Sequence, residues 1–420
     1  MDKQVVKFTP NGCLRVPSSK SYSHRYLISA FIYNKPVTIT NVNLCDDVTT
    51  TIDCLEALGG VFAREKDTIK FVKRENKTGQ IILNVKESGT SLRMLFPLAI
   101  YLYKNVKFIG AKSLFNRPMG VYKDILEDQK IPYEKGEDFI EVKGQLKPTD
   151  FEVKGDISSQ FISGLLLSLP LLRVDSMIRV IPPFSSSSYV DITIECLKKA
   201  GIKIERRGEY EFNIPANQSY KSFEVTVEGD YSGASNILAL GALCGEVTLT
   251  NLFNHSIQGD KKIIEVLETM GSKVKITKDS VSTTKSQLGT IEIDVDNIID
   301  LAPLIIVLAC LSDGISYIYN VHRLRFKEQN RLDTIIEEME KIGFYIENNN
   351  ESLKVYGGIN MDGPAIVSAH NDHRTFMALA VAACMIKNGL IIDGVECVNK
   401  SYPKFLDDLE KIGVNVNRSI

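Results

Sequence analysis

Apolar and polar positions follow one pattern that recurs six times along the chain. Each copy has a short β-branched strand, a polar loop, a helix with an apolar stripe and a second strand. The copies span residues 37–63, 106–134, 177–205, 247–276, 315–347 and 390–416. Strand and helix periodicities alternate, so each copy predicts a βα module that buries one face against its neighbours. Six copies divide into three and three, and we therefore expect two similar halves.

A glycine follows the helix in five of the six copies. These residues are Gly59 or Gly60, Gly201, Gly271, Gly343 and Gly413. A glycine just past a helix is typical of a C-cap in the left-handed conformation. We therefore predict that these helices stop at their glycines.

The bulk composition is typical of a cytosolic enzyme. At 420 residues the chain is expected to form about two or three domains. A net charge of −2, from 50 basic and 52 acidic residues, gives no support for nucleic-acid binding. No apolar run reaches the roughly 18 residues of a membrane span, and the N-terminus shows no signal-peptide pattern. Eight scattered cysteines form no CxxC motif. We expect a cytoplasmic monomer that binds neither nucleic acid nor a membrane.

Cationic and hydroxyl groups stand at the predicted helix starts of the first half. Lys20, Ser21 and Arg25 open one helix, where free backbone N–H groups attract anions. Arg93 lies in the first turn of the next predicted helix. The helix dipole disfavours a cation at this end, so the position suggests that an anion binds beside Arg93. The alternative for the first helix is an ordinary capped helix with solvated cations. The alternative for Arg93 is a salt bridge with Glu87.

Two further loops of the first half are rich in serine. Ser158, Ser159 and Gln160 lead into one apolar helix, and the four serines 185–188 lead into another. Hydroxyl and amide groups suit the oxygen-rich face of a phosphate or a polyol. An ordinary N-cap by Ser158 explains one such loop. Three serine-rich helix starts in one chain are harder to assign to capping alone.

The second half supplies most of the charge. Residues 322–339 combine cations and a carboxylate within one short segment, namely Arg323, Arg325, Lys327, Glu328 and Arg331. Lys327 and Arg331 are four residues apart, so both can face one point on a helix. A buried carboxylate flanked by cations can serve as an acid or a base. A solvated charged face is the alternative.

Other charged groups of the second half also precede apolar helices. Asp372 and Arg374 open one helix, Lys400 lies in the loop of the last copy, and Asp300 precedes a long apolar run. A lone aspartate at such a place is most often an N-cap, so a functional role for Asp300 depends on the other groups. The chain has five histidines and no third ligand near the closest pair, so we expect no metal site.

Taken together, these loops resemble the enolpyruvyl transferase family over essentially the whole chain, and among its members those that act on shikimate 3-phosphate. The matching segments, in order, are SKSYSHR at 19–25, SGTSLR at 88–93, NRPMG at 116–120, SSQFISGLLL at 158–167, DITIECLKKAGI at 191–202, RFKEQNRL at 325–332, NDHRTFMA at 371–378 and NKSYP at 399–403. One such motif is weak evidence, whereas eight in register are strong.

The resemblance implies an α/β fold of two similar globular domains, each built of three βαβαββ units in the inside-out barrel of that family. Residues 1–15 and 226–420 would form the C-terminal domain, which includes the chain start, and residues 16–225 the N-terminal domain. The active site would lie in the cleft between the domains. No metal or organic cofactor would take part.

The reaction implied by the resemblance is transfer of the enolpyruvyl group of phosphoenolpyruvate to the 5-hydroxyl of shikimate 3-phosphate. Asp300 would accept the proton of the attacking hydroxyl, and Glu328 would protonate the enol methylene with help from Lys400. The implied catalytic set is Asp300, Glu328, Lys20 and Lys400. The implied contacts to phosphoenolpyruvate are Lys20, Gly89, Arg117, Arg331, Arg374 and Lys400. The implied contacts to shikimate 3-phosphate are Ser21, Arg25, Ser158, Ser159, Gln160, Ser186 and Lys327. Residues in or beside the motifs complete the substrate-binding set, namely Thr90, Arg93, Asp300 and Arg323.

The implied substrates bring two phosphates and two carboxylates together, which only a concentration of arginine and lysine can hold. We expect Lys20, Arg117 and Arg374 to face solvent in the free protein. Substitutions at such positions usually change the free energy of unfolding by under about 0.5 kcal/mol.

The chain departs from the family pattern in three places. Glu87 and Arg323 stand where many members have asparagine, and Ser187-Ser188 replaces a frequent Lys-Pro pair.

Three alternatives stay open. The sister enzyme that acts on UDP-N-acetylglucosamine shares the fold but lacks the SSQF and KSxSxR loops found here. A catalytically inert phosphosugar-binding protein would have no need of both Asp300 and Glu328. An RNA-end-processing enzyme of similar βαβαββ units predicts a basic groove, which the net charge of −2 does not support.

Overall fold

The computed structural model describes residues 3–6, 9–358 and 365–417. The chain divides into a C-terminal unit, Met1–Ser18 with Glu228–Ile420, and an N-terminal unit, Ser19–Val227. These junctions lie two or three residues later than the boundaries expected from the sequence. Each unit buries its own hydrophobic core.

Helices and strands alternate along both units. The α-helices are α1 (Lys20–Tyr33), α2 (Asp46–Ala57), α3 (Gly89–Leu102), α4 (Lys112–Phe115), α5 (Gly120–Asp128), α6 (Ser159–Ser168), α7 (Ser187–Lys199), α8 (Tyr231–Cys244), α9 (Ile263–Thr269), α10 (Ala302–Leu311), α11 (Arg331–Lys341), α12 (His373–Met385) and α13 (Phe405–Lys411). Short 3-10 helices lie at Leu169–Leu171, Gly259–Lys262, Asp296–Ile298, His322–Phe326 and Val395–Lys400.

The strands are short and are shared evenly between the units. They are β1 (Lys3–Val6), β2 (Asn11–Arg15), β3 (Val37–Thr40), β4 (Gly60–Glu65), β5 (Thr68–Arg74), β6 (Ile81–Lys86), β7 (Asn105–Gly110), β8 (Tyr133–Lys135), β9 (Phe139–Lys143), β10 (Asp150–Lys154), β11 (Ser176–Ile181), β12 (Glu205–Arg207), β13 (Glu211–Ile214), β14 (Val225–Thr226), β15 (Glu246–Thr250), β16 (Lys273–Ile276), β17 (Ser280–Thr284), β18 (Glu292–Asp294), β19 (Gly314–Tyr319), β20 (Tyr345–Asn348), β21 (Ser352–Gly357), β22 (Ala365–Ser368), β23 (Leu390–Asp393) and β24 (Asn415–Asn417).

Among the described residues, each unit contains three four-stranded sheets with one common pattern. The strand orders are β14-β3-β5-β4, β6-β7-β9-β8 and β10-β11-β13-β12 in the N-terminal unit, and β2-β15-β17-β16, β18-β19-β21-β20 and β22-β23-β1-β24 in the C-terminal unit. The first pair in each order is parallel and the other two pairs are antiparallel. In four of the parallel pairs, β6-β7, β10-β11, β18-β19 and β22-β23, one α-helix joins the two strands. The predicted α/β class with three βαβαββ units in each half is confirmed.

Strands from distant parts of the chain complete three of these sheets. β14, at the end of the N-terminal unit, pairs with β3 of its first repeat, with Val225 opposite Ile39. The two strands at the chain start join the C-terminal unit. β2 runs parallel to β15, and β1 runs antiparallel to β23.

The first helix of each βαβαββ unit is buried along nearly its whole length, and these helices are α1, α3, α6, α8, α10 and α12. α10 buries every residue from Ala302 to Cys310, which confirms the buried helix predicted for this apolar run. α8, α10 and α12 pack on one another in the C-terminal unit, and α3 packs on α1 and α6 in the N-terminal unit. Within the described chain, no helix combines the length and the apolar character that crossing a membrane requires.

The predicted C-cap glycines are confirmed. Their φ angles are positive, at 102° for Gly59, 76° for Gly201, 98° for Gly271, 99° for Gly343 and 89° for Gly413. Glycine adopts this left-handed conformation readily, whereas L-residues rarely do. The left-handed residue ends each helix, and the chain then turns back toward its sheet.

We expect Gly59→Ala to lower the free energy of unfolding by at least about 3 kcal/mol. A Cβ on Gly59 would lie 2.1 Å from the carbonyl oxygen of Glu75, in addition to the strain of φ 102°. Gly79 is a matched control, because its φ is 83° but no heavy atom lies within 4 Å of an added Cβ. Gly79→Ala should therefore cost only about 1 kcal/mol. Equal losses in chemical denaturation would contradict the clash at Gly59.

Candidate active site

The predicted site residues lie on the loops that precede helices or in the first turns of those helices. In the N-terminal unit they stand at or before the starts of α1, α3, α5, α6 and α7. In the C-terminal unit they stand at or before the starts of α10, α11, α12 and α13. The free backbone N–H groups of helix starts favour anions. The fold thus places the predicted cations where backbone dipoles also attract negative charge.

Lys20, the first residue of α1, is held by a carboxylate that sequence reasoning missed. Its Nζ lies 2.8 Å from Oδ2 of Asp47, and the two side chains are only 16% and 6% exposed. Asp47 stands in the first turn of α2. The sequence feature that could have indicated Asp47 is the acidic pair Asp46-Asp47, which follows the first strand of the first copy. The expectation that Lys20 faces solvent is wrong, because this ion pair is largely buried.

A chain of hydrogen bonds links α1, α2 and α3. His24 Nδ1 lies 2.7 Å from Thr51 Oγ1, which lies 2.7 Å from Ser91 Oγ. Ser91 Oγ in turn donates to Ser88 Oγ at 2.9 Å. Burial is the main cause that lowers the pKa of His24 to about 3, so the imidazole is neutral at physiological pH. This neutral network fixes the loop of Ser88 relative to that of Lys20.

Arg25 directs its guanidinium inward and is only 1% exposed. Nε donates to Thr193 Oγ1 at 2.6 Å, and Nη2 donates to Tyr189 O at 2.8 Å and Ser163 Oγ at 3.2 Å. Nη1 donates to Ser21 O at 2.7 Å. Burial lowers the pKa of Arg25 to about 10, which still leaves the group charged. The side chain ties α1 to α6 and α7, and its contact with a substrate stays a prediction.

The glycine at the start of α3 lets two guanidinium groups approach the helix end. A Cβ on Gly89 would lie 3.3 Å from Arg117 Nη1 and 3.6 Å from Arg93 Nη1. Arg93 Nη1 donates to Gln160 Oε1 at 3.0 Å, and Gln160 Nε2 donates to Thr90 Oγ1 at 3.0 Å. The structure thus brings together predicted residues from three separate loops.

Packing also fixes the orientation of Arg93. Its Nη2 donates to Pro118 O at 3.2 Å, and its guanidinium carbon lies 5.1 Å from the centre of the Phe161 ring. A cation over an aromatic face is attracted by the ring quadrupole. Arg93 therefore connects the loop of Arg117 with the helix of Gln160.

The serines of the serine-rich loops differ in the local structural role that each one has. Ser158 is the N-cap of α6, and its Oγ accepts the Gln160 N–H at 3.3 Å, which confirms the capping alternative. Ser159 is buried in the first turn of α6. Ser186 precedes α7 with a φ of 55°, an uncommon conformation for a residue with a side chain. Substrate contacts by these serines stay predictions.

Asp300 is the centre of the charged cluster in the C-terminal unit. Lys327 Nζ lies 3.0 Å and Arg331 Nη1 3.3 Å from Oδ1 of Asp300. Arg374 Nη2 lies 3.9 Å from Oδ2. The capping alternative for Asp300 is wrong, because α10 begins at Ala302 with Leu301 as its N-cap. Lys327 and Arg331 face one point as predicted, although Lys327 precedes α11 and only Arg331 lies in it.

The charges around Asp300 set its proton affinity. Burial alone would raise the pKa of Asp300, but the neighbouring cations, Lys327 first, hold that pKa well below its ordinary value. Burial lowers the pKa of Lys327, and Asp300 opposes that shift. Asp300 is therefore an ionised but weak base. Anionic substrates that engage the cations would raise its proton affinity.

Arg331 joins three carboxylates from different elements. Its Nε lies 2.7 Å from Asp372 Oδ2, its Nη2 lies 2.5 Å from Glu328 Oε2, and its Nη1 contacts Asp300. The side chain is 1% exposed. Burial opposes the charge, but the three carboxylates raise the pKa of Arg331 above its ordinary value. The guanidinium thereby fixes both predicted catalytic carboxylates in one arrangement.

Glu328 lies between Arg331 and the lysine of the last repeat. Lys400 Nζ is 4.0 Å from Oε1 of Glu328, while Arg331 holds Oε2. Lys400 ends the 3-10 helix that precedes α13, and its side chain is buried. A carboxylate and an ammonium at this separation can exchange a proton with little movement.

Arg374 enters the cluster through the N-terminus of α12. Asp372 caps this helix, with Oδ1 accepting the N–H groups of Arg374 at 2.8 Å and Thr375 at 3.2 Å. Its Oδ2 is held by Arg331, so Asp372 connects the two arginines. The expectation that Arg374 faces solvent is wrong, since the residue is 5% exposed.

Arg323 occupies a buried position beside the same cluster. Its Nη1 donates to Asp296 O at 2.9 Å and to Asp296 Oδ1 at 3.1 Å. It lies close enough to Lys327 to lower the pKa of that lysine. Its contact with a substrate stays a prediction.

A buried glutamate anchors the loop that carries Asp372. Glu338 in α11 accepts the Ser368 N–H at 3.0 Å and contacts His370 Nε2 at 2.7 Å. His370 is thus engaged by one carboxylate rather than by a group of ligands. In the ranges that the structure describes, no group of three or more His, Cys, Asp or Glu residues is arranged to hold a metal.

The fold is similar to that of two solved structures, an EPSP synthase and an enolpyruvyl transferase. EPSP synthase from Acinetobacter baumannii superposes with a TM-score of 0.82 at 19% identity, covering 99% of each chain. An enolpyruvyl transferase from Streptomyces tendae superposes with a TM-score of 0.81 at 15% identity, covering 99% of this chain and 98% of that one. At these identities the likeness establishes the fold, which is that of an enolpyruvyl transferase.

Sequence comparison places the chain more narrowly within that class. The family model of EPSP synthase (3-phosphoshikimate 1-carboxyvinyltransferase) matches residues 9–409. A 3-phosphoshikimate 1-carboxyvinyltransferase from Clostridium kluyveri is 37% identical over 415 residues, covering 97% of this chain and 96% of the relative. The chain belongs to the EPSP synthase family. The family resemblance predicted from the loop motifs is confirmed.

Proposed function

We propose that this protein transfers the enolpyruvyl group of phosphoenolpyruvate to the 5-hydroxyl of shikimate 3-phosphate and releases phosphate. Membership of the EPSP synthase family supports the reaction. At the level of residues, the proposal rests on one observation, the convergence of Asp300 and Glu328 on the buried guanidinium of Arg331. Two carboxylates in different surroundings can supply the base and the acid that such a transfer needs.

The first step is an addition. Asp300 takes the proton of the 5-hydroxyl as the oxygen forms a bond to C2 of phosphoenolpyruvate. Glu328 gives its proton to the methylene carbon, C3, so that the double bond is consumed and a methyl group forms. The product of this step is a tetrahedral ketal that carries both the shikimate oxygen and the phosphate on C2.

The second step is an elimination. The bond between C2 and the phosphate oxygen breaks, and the electron pair leaves with the phosphate. The methyl group returns one proton to Glu328, which restores the double bond. The proton held by Asp300 leaves with the phosphate. Lys400, 4.0 Å from Glu328, assists the proton transfers at this carboxyl.

The cations divide between the two substrates. We assign Lys20, Arg117, Arg374 and Lys400 to phosphoenolpyruvate, together with the helix start at Gly89. Lys327 and the hydroxyl-rich loops of the N-terminal unit are assigned to shikimate 3-phosphate. Charge-assisted hydrogen bonds of this kind contribute on the order of 1.5–3 kcal/mol each. We propose that both sets act on one pair of substrates, in the cleft expected between the domains.

Arg25 and Arg331 have a second role in this proposal. Both guanidinium groups are 1% exposed and already make several contacts within their own unit. We propose that both arginines mainly position other groups. Arg25 positions α6 and α7, and Arg331 positions the carboxylates of Asp300 and Glu328.

The cellular setting belongs to the proposal as well. All eight cysteines are free thiols, which fits a reducing compartment such as the cytoplasm. The expected cytoplasmic location and the expected monomeric state stay predictions.

Phosphate release from phosphoenolpyruvate tests the proposed function. We expect release with shikimate 3-phosphate, none when it is omitted, and none when UDP-N-acetylglucosamine replaces it. The assay is run in buffer that contains EDTA, because we expect no metal to take part. Release with the nucleotide sugar would favour the sister enzyme, and no release with either acceptor would favour an inert binding protein. A rate restored by a divalent ion would contradict the metal-free reaction.

A further inference from the structure

One turn in the C-terminal unit leads directly into the group that we assign to phosphoenolpyruvate. Residues 369–372 turn the chain between the end of β22 and the start of α12. The Asp372 N–H donates to Ala369 O at 2.9 Å, which closes the turn. Asp372 then caps α12 and holds Arg331, and Arg374 follows in the first turn of the helix. The position of this turn therefore sets the positions of Asp372 and Arg374.

The two central residues of this turn adopt the left-handed conformation. Their φ angles are 47° at His370 and 61° at Asn371. Positive φ at both central residues is the signature of a type I′ turn, in which glycine, asparagine and aspartate predominate. Asn371 fits this preference, whereas His370 carries a large side chain at a position where only glycine is free of strain. The turn therefore depends on contacts with its surroundings.

Glu338 supplies such contacts from α11. Its Oε2 accepts the Ser368 N–H at 3.0 Å, and its Oε1 lies 2.7 Å from His370 Nε2. Lys341 Nζ lies 2.8 Å from the same Oε1. The side chain of Glu338 is 0% exposed, whereas those of His370 and Lys341 are 37% and 43% exposed. The buried carboxylate thus holds the residue that precedes the turn and one of the two residues at its centre.

α11 holds the turn at both of its ends. Arg331 and Glu338 are seven residues apart, which is about two helical turns, so their side chains lie on one face of the helix. Arg331 Nε lies 2.7 Å from Asp372 Oδ2 at the end of the turn, while Glu338 holds Ser368 and His370 at its beginning. Burying a carboxylate is costly unless it is paired and hydrogen-bonded. A role in positioning the turn explains why this face of α11 carries one.

We propose that Glu338 is a positioning residue for the binding of phosphoenolpyruvate. It holds His370, and with it the turn, so that Asp372 and Arg374 keep the places that this substrate requires. The inference rests on the proposed function, because it concerns how one of the two substrates is bound. The described hydrogen bonds of the Glu338 side chain go to Lys341, Ser368 and His370, none of which we assign to a substrate. Its effect on the reaction passes through the turn.

Steady-state kinetics of Glu338→Met test this role. Methionine has a similar length but accepts no strong hydrogen bond from Ser368 or His370. We expect the Michaelis constant for phosphoenolpyruvate to rise about tenfold, with a smaller change in kcat, because Arg374 loses part of a charge-assisted hydrogen bond. The constant for shikimate 3-phosphate should stay within about twofold, since most groups assigned to it lie in the N-terminal unit. A residue that only held the fold together would not discriminate between the two substrates.

Two further variants on α11 give the rescue and the control. The amide oxygen of Glu338→Gln can accept the Ser368 N–H, and its amide nitrogen can donate to the ring of a neutral His370. This variant should keep the constant for phosphoenolpyruvate within about threefold of the wild-type value. Glu340 is exposed, so Glu340→Met should leave both constants unchanged. Equal constants in Glu338→Met and Glu340→Met, or equal rises for the two substrates, would overturn the inference.

Substitutions at His370 test whether the strain of the turn matters. His370→Ala and His370→Gly both remove the ring that contacts Glu338, but glycine adopts a positive φ without strain, whereas alanine does not. We expect the constant for phosphoenolpyruvate to be at least about threefold higher in the alanine variant than in the glycine variant. Equal constants in the two variants would show that the turn needs no support at this residue and would contradict the proposed role of Glu338.

Hydrogen exchange of the protein without substrates needs no turnover. The backbone amides of residues 366–375 are followed by mass spectrometry in the wild type, Glu338→Met and Glu340→Met. We expect exchange in this segment to be about tenfold faster in Glu338→Met and unchanged in Glu340→Met. Unchanged exchange in Glu338→Met would overturn the inference. If the wild type fails to release phosphate but this segment responds to Glu338→Met, the proposed function has failed and the support of the turn by Glu338 has not.

Discussion

Glu328→Gln should lower turnover by about 10²–10⁴-fold while shikimate 3-phosphate still binds nearly normally. Glutamine keeps the shape of the side chain but cannot give a proton to the enol methylene. The same loss of proton transfer should slow the exchange of solvent deuterium into the methylene of phosphoenolpyruvate. Asp300→Asn should lower turnover to a similar extent, because the 5-hydroxyl then lacks its proton acceptor.

Glu337→Gln provides a matched control on α11. The side chain of Glu337 is 60% exposed and pairs only with Lys341 among the ion pairs of the described chain. This variant should retain the full rate. If Glu328→Gln also kept full turnover and full deuterium exchange, Glu328 would be no more than a salt-bridge partner of Arg331. The acid would then have to be sought elsewhere, with Lys400 first in line.

Arg331→Met should lower the free energy of unfolding by about 3–5 kcal/mol, which is typical when one partner of a buried ion pair is removed. Asp372 is 0% exposed and would lose the guanidinium that lies 2.7 Å from its Oδ2. Asp300 and Glu328 would also lose the cation between them. The double variant Arg331→Met/Asp372→Asn should recover part of the loss, because no buried charge is then left at Asp372.

Arg325→Met is the control for this prediction. Arg325 and its partner Asp333 are 30% and 55% exposed, so the pair should contribute at most about 1 kcal/mol. Chemical denaturation of all three variants measures the difference. An Arg331→Met variant as stable as Arg325→Met would show that the buried cluster does not hold this unit together.

The repeats, the helix ends and the buried helices could be predicted from the sequence because each depends on near neighbours in the chain. Gly201 follows its helix directly and needs only the left-handed conformation that glycine permits. α10 is apolar on all sides and can only be buried. The order of the loop motifs was sufficient to indicate the family.

Pairings between distant loops could not be predicted in the same way. Nothing in the sequence indicates that Asp47 reaches Lys20 or that Asp372 reaches Arg331, because these contacts depend on how the repeats close into sheets. Charged residue types predict exposure, which is why Lys20 and Arg374 were expected to face solvent. Their carboxylate partners permit the burial that the structure shows.

Product formation from phosphoenolpyruvate labelled with carbon-13 at C2 tests the central claim most directly. The protein is incubated with the labelled compound and shikimate 3-phosphate, and the label is followed by nuclear magnetic resonance. We predict that the label appears in an enol ether attached to the 5-oxygen of shikimate 3-phosphate, in step with phosphate release. Label that appears in pyruvate, or that stays in phosphoenolpyruvate while both substrates are present, would contradict enolpyruvyl transfer as the activity of this protein.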